Sequence, residues 1–141
     1  MNIWKAQPTL EEINKMSTGT LMEAIGIEIT QFTEDSISGK MPVDERTYQP
    51  MRLLHGGASI ALAETLGSVA SHLSIDHKTH FAVGQTVSSN HIKSAKSGYV
   101  YGTAKPKHLG RSTHIWEIEI KNEDNELVNT TTLTMAIREK R

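Results

Sequence analysis

A lone carboxylate in a run of small and apolar residues is the first feature of this sequence that could do chemistry. The stretch HGGASIALAETLGS spans residues 55–68, and its one acidic residue is Glu64. A carboxylate in apolar surroundings is costly to desolvate unless it is paired or used. Glu64 is therefore either a catalytic base or nucleophile, or an ordinary polar residue at the edge of a helix.

Two glycines precede this carboxylate at the point where a helix should begin. Gly56 and Gly57 leave backbone N–H groups uncovered by side chains, and the helix dipole adds partial positive charge there. Such donors can polarise a carbonyl and hold the negative charge that develops on its oxygen. Gln49 and His55 precede the glycines in the same loop, although each alone is typical of any loop.

The spacing of these groups argues against a site built from one helix. Gly56 and Glu64 are eight residues apart, which is ~12 Å along a helix at ~1.5 Å per residue. A nucleophile and an oxyanion donor must both lie within ~3 Å of one reacting centre. Two antiparallel helices with their small faces together could supply both groups, which would give a two-fold dimer with two composite sites.

The long helix that would position these groups is predicted from Gly57 to about Ile75. Its apolar stripe falls at helical spacing and consists of Leu62, Leu66, Val69 and Leu73. A second stripe of small residues and the carboxylate consists of Gly57, Ala61, Glu64, Ser68 and Ser71. A face of this second kind allows another backbone to come close.

The rest of the chain predicts strands joined by turns. Residue alternation indicates strands at 25–33 and 36–43 before the helix, and at 81–93, 98–107, 112–121 and 127–137 after it. Thr9 and Glu12 fit a capping box ahead of a short helix, LEEINKM. Pro42 places the end of the second strand at a sheet edge or a bulge. This order predicts an α+β fold with one long helix against one face of an antiparallel sheet.

Composition fits one domain, residues 1–141, with no sign of a nucleic-acid or membrane partner. The chain is 37% hydrophobic and 22% charged, with a net charge of −1, so no broad field favours a polyanion or a membrane surface. The absence of cysteine excludes disulfides and thiolate chemistry. The N-terminus lacks the apolar run of a signal peptide, and no stretch approaches the ~20 apolar residues of a membrane helix. We therefore expect a cytoplasmic protein.

Other motifs in the sequence fit less well. Residues 57–61, GASIA, lack the second glycine of a nucleophile elbow, so Ser59 is expected to be an ordinary helix residue. His72, His77 and His80 are spaced five and three residues apart, unlike the one-face spacing of H-E-x-x-H, and we expect them to be solvated. Glycine-rich phosphate loops are absent, and the sequon at Asn129 has no meaning without secretion.

Three stretches carry a family resemblance that covers essentially the whole chain. MPVDERTYQPMRLLHGGASIALAETLGS is the specific one, and SSNHIKSAKSG and KPKHLGRSTHIWEIEI follow it. They resemble the hotdog-fold acyl-CoA thioesterases, in the branch of 1,4-dihydroxy-2-naphthoyl-CoA hydrolases and relatives that act on 4-hydroxybenzoyl-CoA or phenylacetyl-CoA. The resemblance implies a long helix wrapped by a curved sheet, sites between the subunits of a dimer, a homotetramer, and no metal or redox cofactor.

The resemblance also implies roles for individual residues. Glu64 would act as nucleophile or as general base on water, and the Gly56 N–H would polarise the thioester carbonyl. Gln49 and His55 would position the thioester or the attacking water, and Ser68 would orient that water or the acyl group. Further residues would bind the acyl group or coenzyme A: Met51, Arg52, Gln85, Asn90, His91, Lys93, Ser94, His108, Gly110, Arg111 and Ser112. Lys93 and Arg111 could equally be ordinary solvated turn charges.

The chain departs from the family pattern at two places that concern the substrate. Relatives usually carry an aromatic residue and a glycine where this chain has Met51-Arg52, and often an aliphatic residue at Gln85. The acyl group could therefore be aryl, as in the 1,4-dihydroxy-2-naphthoyl-CoA of menaquinone biosynthesis, or of medium chain length in a broad-specificity enzyme. A hydratase would use an Asp/His pair, and a non-catalytic acyl-CoA-binding domain would be expected to lack Glu64.

Overall fold

The computed structural model describes residues 2–141, which form three helices and one six-stranded antiparallel sheet. The helices are α1 (Leu10–Lys15), α2 (Leu21–Ala24) and α3 (Gly56–Leu73). The strands are β1 (Glu28–Phe32), β2 (Ile37–Pro42), β3 (His80–His91), β4 (Tyr99–Leu109), β5 (Thr113–Lys121) and β6 (Leu127–Glu139). Their order across the sheet is β1-β2-β4-β5-β6-β3. This architecture confirms the predicted α+β class.

The core lies between α3 and the inner face of the sheet. Leu62 and Leu66 of the predicted apolar stripe are fully buried there with Trp116. Gly39 and Gly102 allow this close approach, because a Cβ at either position would lie 3.0 Å or 2.7 Å from a methyl carbon of Leu66. The sheet can therefore wrap closely around the helix.

The N-terminal segment covers one end of α3 and closes one edge of the sheet. The Trp4 ring stacks on Trp116 with 6.4 Å between ring centroids. Thr9 caps α1 as predicted, since its Oγ1 accepts the Glu12 N–H at 3.1 Å. Asn14 then bonds both backbone groups of Ile29 on the outer edge of β1, each at 2.8 Å. Side-chain amide atoms thus replace a seventh strand at that edge.

The opposite edge of the sheet is open. β3 pairs with β6 alone among the described strands, so one side of its twelve residues has no strand partner. Phe81 and Val83 are large exposed hydrophobic residues on this strand. A long unpaired edge of this kind is a template for pairing with another chain.

Two details of the fold differ from the sequence prediction. Ser71, predicted to share the small-residue stripe with Glu64, is fully buried against the sheet, and its Oγ accepts the Trp116 indole N–H at 2.7 Å. The helix crosses the strands obliquely. Glu64 therefore lies beside the edge strand β3, whereas Ser71, two turns later on the same stripe, lies against β5. The predicted first strand, 25–33, begins only at Glu28, because α2 and a left-handed turn at Gly26 (φ 77°) precede it.

Pro42 lies within the sheet, although at a locally open position. β2 is flanked by β1 and β4, and its pairing with β1 ends at Lys40. Pro42 is the last residue of β2 and pairs with Tyr99 of β4 alone. Its missing N–H therefore removes no bond to β1. In residues 2–141, none of the helices is long and apolar enough to cross a membrane.

Candidate active site

Glu64 lies exposed on α3 beside the open edge strand. A Cβ at Gly84 of β3 would be only 3.0 Å from the Glu64 Oε2 atom, so the glycine leaves room for the carboxylate. Within the described part of the chain, Glu64 takes part in no ion pair and no hydrogen bond. An acid without a structural partner at the sheet edge is available for chemistry.

The start of α3 leaves one backbone donor free. His55 is the N-cap, and its Nδ1 accepts the Gly57 N–H at 2.7 Å. Its own N–H donates to the Thr47 carbonyl at 2.8 Å. The Gly56 N–H makes no hydrogen bond within residues 2–141, and it lies at the positive end of an 18-residue helix. An incoming carbonyl oxygen could accept this hydrogen bond.

A cavity of about 270 Å³ opens beside Gly56 and brings together several predicted site residues. Its walls are formed by Gln49, Leu54, Gly56, Ser59, His91, Ile92, Lys93, Ser94 and Val128. The Gln49 Oε1 accepts the Met51 N–H, which holds the loop before α3 in a tight turn. The Lys93 Nζ lies 2.5 Å from Glu126 Oε2. That ammonium, with Asn122, holds the pKa of Glu126 below its usual range.

His91 lies against the helix start. A Cβ at Gly56 would be 2.8 Å from His91 Nε2, so only a glycine lets the ring approach the backbone this closely. The other ring nitrogen, Nδ1, is 3.2 Å from the side-chain amide nitrogen of Asn129. Sequence reasoning missed Asn129. Its position could have been predicted from strand alternation, because Asn129 is an even number of residues from Leu133 and Met135 on β6. It therefore faces the core with them, although it is polar.

The two segments predicted to bind coenzyme A lie at opposite ends of the sheet. His91 pairs with Asn129 near the start of β6, whereas Ser112 accepts the Ile137 N–H near its end. Eight residues of β6, from Asn129 to Ile137, or ~26 Å at ~3.3 Å per residue, separate the two levels. One chain therefore does not bring residues 90–94 and 108–112 together.

The residues that depart from the family pattern lie at the margin of this region. Met51 is 75% exposed. Arg52 adopts a left-handed conformation (φ 64°), and its guanidinium lies 5.0 Å from the centre of the Tyr48 ring, which favours a cation–π contact. Gln85 is exposed at the β-bulge of β3, directly after Gly84.

A second cavity, of about 430 Å³, begins one helical turn after Glu64. Its walls are mainly apolar and consist of Pro8, Ile13, Met16, Ser17, Thr20, Leu21, Met22, Ser68, Val69, His72, Leu73 and His77. Ser68 is half-buried in this wall. The His72 Nδ1 lies 2.9 Å from the Ser68 carbonyl oxygen, which can only accept, so this nitrogen carries the ring proton. No pattern in the sequence predicts that the N-terminal segment forms about half of this cavity wall.

One long helix wrapped by a six-stranded antiparallel sheet is the hotdog fold, which this chain shares with solved thioesterases. Residues 51–129 match the family model described as the thioesterase superfamily. The match covers more than half of the chain, and the protein therefore belongs to this superfamily and is an enzyme that hydrolyses thioesters.

Named relatives agree with this assignment over nearly their whole length. The chain is 46% identical over 135 residues to a proofreading thioesterase, EntH, of Cronobacter turicensis, covering 96% of this chain and 98% of the relative. It is 43% identical to a 1,4-dihydroxy-2-naphthoyl-CoA hydrolase of Escherichia coli, with the same 96% and 98% coverage. A crystal structure of a mutant thioesterase from Pseudomonas aeruginosa superposes with a TM-score of 0.97 at 40% identity, covering 99% and 100% of the two chains.

Proposed function

We propose that this enzyme hydrolyses an acyl-CoA thioester at two composite sites of a dimer. In each site Glu64 of one protomer would face the Gly56 N–H of the other across the thioester carbonyl. One observation carries the proposal: both the unpaired acid and the free N–H lie along the open strand β3, over Gly84 and His91 respectively. They are too far apart in one chain to reach the same carbonyl.

The register of β3 supports a particular dimer. From Gly84 onward its inward-facing residues are Gly84, Val87, Ser89 and His91, with the bulge between Gly84 and Thr86. Antiparallel pairing about a two-fold axis at Ser88 would set Val87 opposite the partner's Ser89. It would also set the bulge at Gly84 opposite the partner's His91, and every inward side chain would stay inward. Glu64 would then lie beside the helix start of the partner.

The same two-fold operation would unite the two coenzyme A segments. Because it reverses the direction of the partner's sheet, it would carry the partner's 108–112 turn to the end that holds residues 90–94. Arg111 of one protomer and Lys93 of the other would then lie at the same end of the joined sheet. Their positive charges suit the phosphates of a single coenzyme A molecule.

The proposed chemistry is simple because a thioester is already activated. Glu64 would either attack the carbonyl carbon, forming an anhydride that water opens, or take a proton from the water that attacks it. In both routes a C–O bond forms, the C–S bond breaks, and coenzyme A leaves as a thiolate that is then protonated. The Gly56 N–H would hold the charge on the carbonyl oxygen. Neither route requires a metal or a redox cofactor.

The mainly apolar cavity next to Ser68 suits a bulky acyl group. Since Glu64 and Ser68 are one turn apart on α3, an acyl group held at Glu64 would extend past Ser68 into this cavity. His72 in its wall has Nδ1 committed to the Ser68 carbonyl, so Nε2 of the neutral ring can accept a hydrogen bond. A hydroxylated aryl group, such as hydroxybenzoyl or 1,4-dihydroxy-2-naphthoyl, would offer that hydrogen. The Escherichia coli relative, named a 1,4-dihydroxy-2-naphthoyl-CoA hydrolase, supports the same class.

The test is thiol release from a panel of substrates by wild-type enzyme and Glu64 variants. We expect Glu64→Ala and Glu64→Gln to lower kcat by at least ~100-fold, as loss of a base or nucleophile does. Glu117→Gln, which removes an exposed glutamate from β5, is the matched control. Thiol release that survives both Glu64 substitutions would reject the assignment.

The acyl group is tested in the same assay. We expect 1,4-dihydroxy-2-naphthoyl- and 4-hydroxybenzoyl-CoA to be hydrolysed faster than benzoyl- and hexanoyl-CoA, and His72→Phe to reduce that preference without abolishing hydrolysis. If hexanoyl-CoA is the best of the four, the enzyme is a medium-chain thioesterase and the aryl assignment is wrong, while the role of Glu64 stands.

A further inference from the structure

We infer that Asn129 is a positioning residue that makes His91 a hydrogen-bond donor beside Gly56. It would do so through a closed ring of hydrogen bonds with Ser89 and Thr131. The inference rests on the proposed function, in which the Gly56 N–H donates to the thioester carbonyl oxygen. His91 would be a second donor to that same oxygen.

The ring lies between β3 and β6. Asn129 is fully buried, and its Nδ2 donates to Ser89 Oγ at 2.8 Å. Ser89 Oγ lies 2.8 Å from Thr131 Oγ1, and Thr131 Oγ1 donates to Asn129 Oδ1 at 2.6 Å. The second hydrogen of Nδ2 points to His91 Nδ1 at 3.2 Å. The two hydroxyl groups and the amide group of the ring are therefore all hydrogen-bonded to one another.

The direction of the ring follows from burial. If the amide were turned over, Oδ1 would accept from both Ser89 and His91, and Nδ2 would donate only to Thr131. One amide hydrogen would then have no partner at a site without solvent, and such a buried donor carries the full desolvation penalty. The observed orientation pairs both amide hydrogens. His91 Nδ1 must consequently be an acceptor, without a proton.

The consequence reaches the reaction site. With Nδ1 unprotonated, neutral His91 carries its proton on Nε2, and Nε2 is the ring atom that lies nearest a Cβ built at Gly56. The Gly56 N–H and the His91 Nε2–H are therefore neighbouring donors in the wall of one cavity. A carbonyl oxygen that accepts from both would be held more firmly as it gains charge than by either donor alone.

The first test reads the tautomer directly. In protein labelled with ¹⁵N-histidine, and with the His91 signals assigned by their loss in His91→Phe, we expect Nδ1 to be unprotonated and Nε2 protonated at neutral pH. In Thr131→Val, which opens the ring at nearly constant volume, we expect the two tautomers to mix. A wild-type ring protonated at Nδ1 would overturn the inference.

The second test is a double-mutant cycle on kcat. We expect His91→Phe to lower kcat ~100-fold, as removal of an oxyanion donor does. Asn129→Leu should lower kcat ~10-fold with a smaller change in KM, and it should have no further effect in the His91→Phe background, since it acts through that ring. Thr130→Val, on the same strand with its side chain on the other face, is the control.

The outcomes separate this inference from the proposed function. If Asn129→Leu lowers kcat equally with and without His91, Asn129 supports the fold alone and the inference is overturned. If Asn129→Leu does not fold, Thr131→Val replaces it in the cycle, with the same expected non-additivity. If Glu64→Gln retains activity, the proposed function fails whatever the tautomer of His91.

Discussion

Among individual residues, unpaired polar atoms at the surface identify the chemistry better than residue type does. The Glu64 carboxylate and the Gly56 N–H have no partner within the described residues, whereas neighbouring polar groups are bonded. His55 Nδ1 holds Gly57, and Gln49 Oε1 holds Met51. In the proposed function, these two unpaired groups supply the acid and the oxyanion donor for thioester hydrolysis.

The buried His114 predicts a specific dependence of stability on pH. Burial, and secondarily the nearby His108, lower the pKa of His114 to about 4, against ~6.5 in an unfolded chain. Between these values the unfolded state binds a proton that the folded state does not, so the free energy of unfolding falls as the pH drops from ~6.5 to ~4. Above ~6.5 the group contributes no pH dependence.

Urea unfolding of wild type and His114→Gln at several pH values measures this effect. Glutamine cannot titrate, so we expect the variant to lose less stability than wild type between pH 6.5 and pH 4.5. Other titratable groups are the same in both proteins, so their contributions to the free energy of unfolding cancel when the two pH profiles are subtracted. Parallel curves would show that the burial of His114 has no such consequence.

Residue type and spacing were enough to single out Glu64, Gly56, Gln49 and His55, because they occur together in one short stretch. Residue type and spacing did not identify Asn129, which was considered only as part of a sequon and not as an inward-facing residue of β6. Ser71 shows the reverse failure. Helical periodicity placed it with Glu64, but which strand lies opposite a helix position depends on the crossing angle, which local sequence does not encode.

Among the elements, the closeness of α3 to the sheet depends on glycines at their contact. A Cβ at Gly39 would lie 2.8 Å from the Glu28 carbonyl oxygen and 3.0 Å from a methyl carbon of Leu66. We expect Gly39→Ala to lower the free energy of unfolding by ~1–3 kcal/mol, since the backbone of β1 must move to admit the methyl group.

Equilibrium urea unfolding checks this prediction. Lys40→Ala, at the half-buried neighbouring position of β2, serves as control and should change stability by less than ~1 kcal/mol, because it removes only a surface pair with Glu28 and a cation–π contact with Tyr99. If both variants unfold at the same urea concentration as wild type, Gly39 is not required for the close contact between α3 and β2, and the prediction is wrong.

The elements themselves could be predicted largely from alternation. α3 and all six strands form within a few residues of their expected positions, because each pattern has one apolar face to bury. α2 was missed, since four residues are too few to show a helical period. The order of the strands was also beyond prediction, because it depends on long-range pairing such as that of β3 with β6.

For the whole molecule, the open strand β3 is the feature on which the proposed dimer rests. The chain contains no cysteine, so a single engineered cysteine reports on the proposed pairing without background. Opposite residues of antiparallel strands have Cα atoms about 4.5–5.5 Å apart, which is within disulfide range. We expect Ser88→Cys to form a covalent dimer under mild oxidation.

The matched control for this cross-link is Phe81→Cys, which lies on the same strand and is also exposed. In the proposed register the two copies of residue 81 are far apart, so this variant should remain monomeric on a non-reducing gel. A covalent dimer of Phe81→Cys, with none of Ser88→Cys, would place the two-fold axis elsewhere.

The central claim is that each reaction site takes its acid from one protomer and its backbone donor from the other. Co-expression of Glu64→Gln with Gly56→Pro tests it most directly, because proline suits the first position of a helix and removes the N–H there. The proline Cβ would also force His91 away from the helix start, so this parent loses both proposed donors while its own Glu64 remains. Half of the randomly assembled dimers would be mixed, each with one intact site of two, so we predict roughly a quarter of wild-type kcat from two nearly inactive parents. If the mixed preparation is no more active than its parents, although gel filtration shows mixed dimers, the site lies within one chain and the account is wrong.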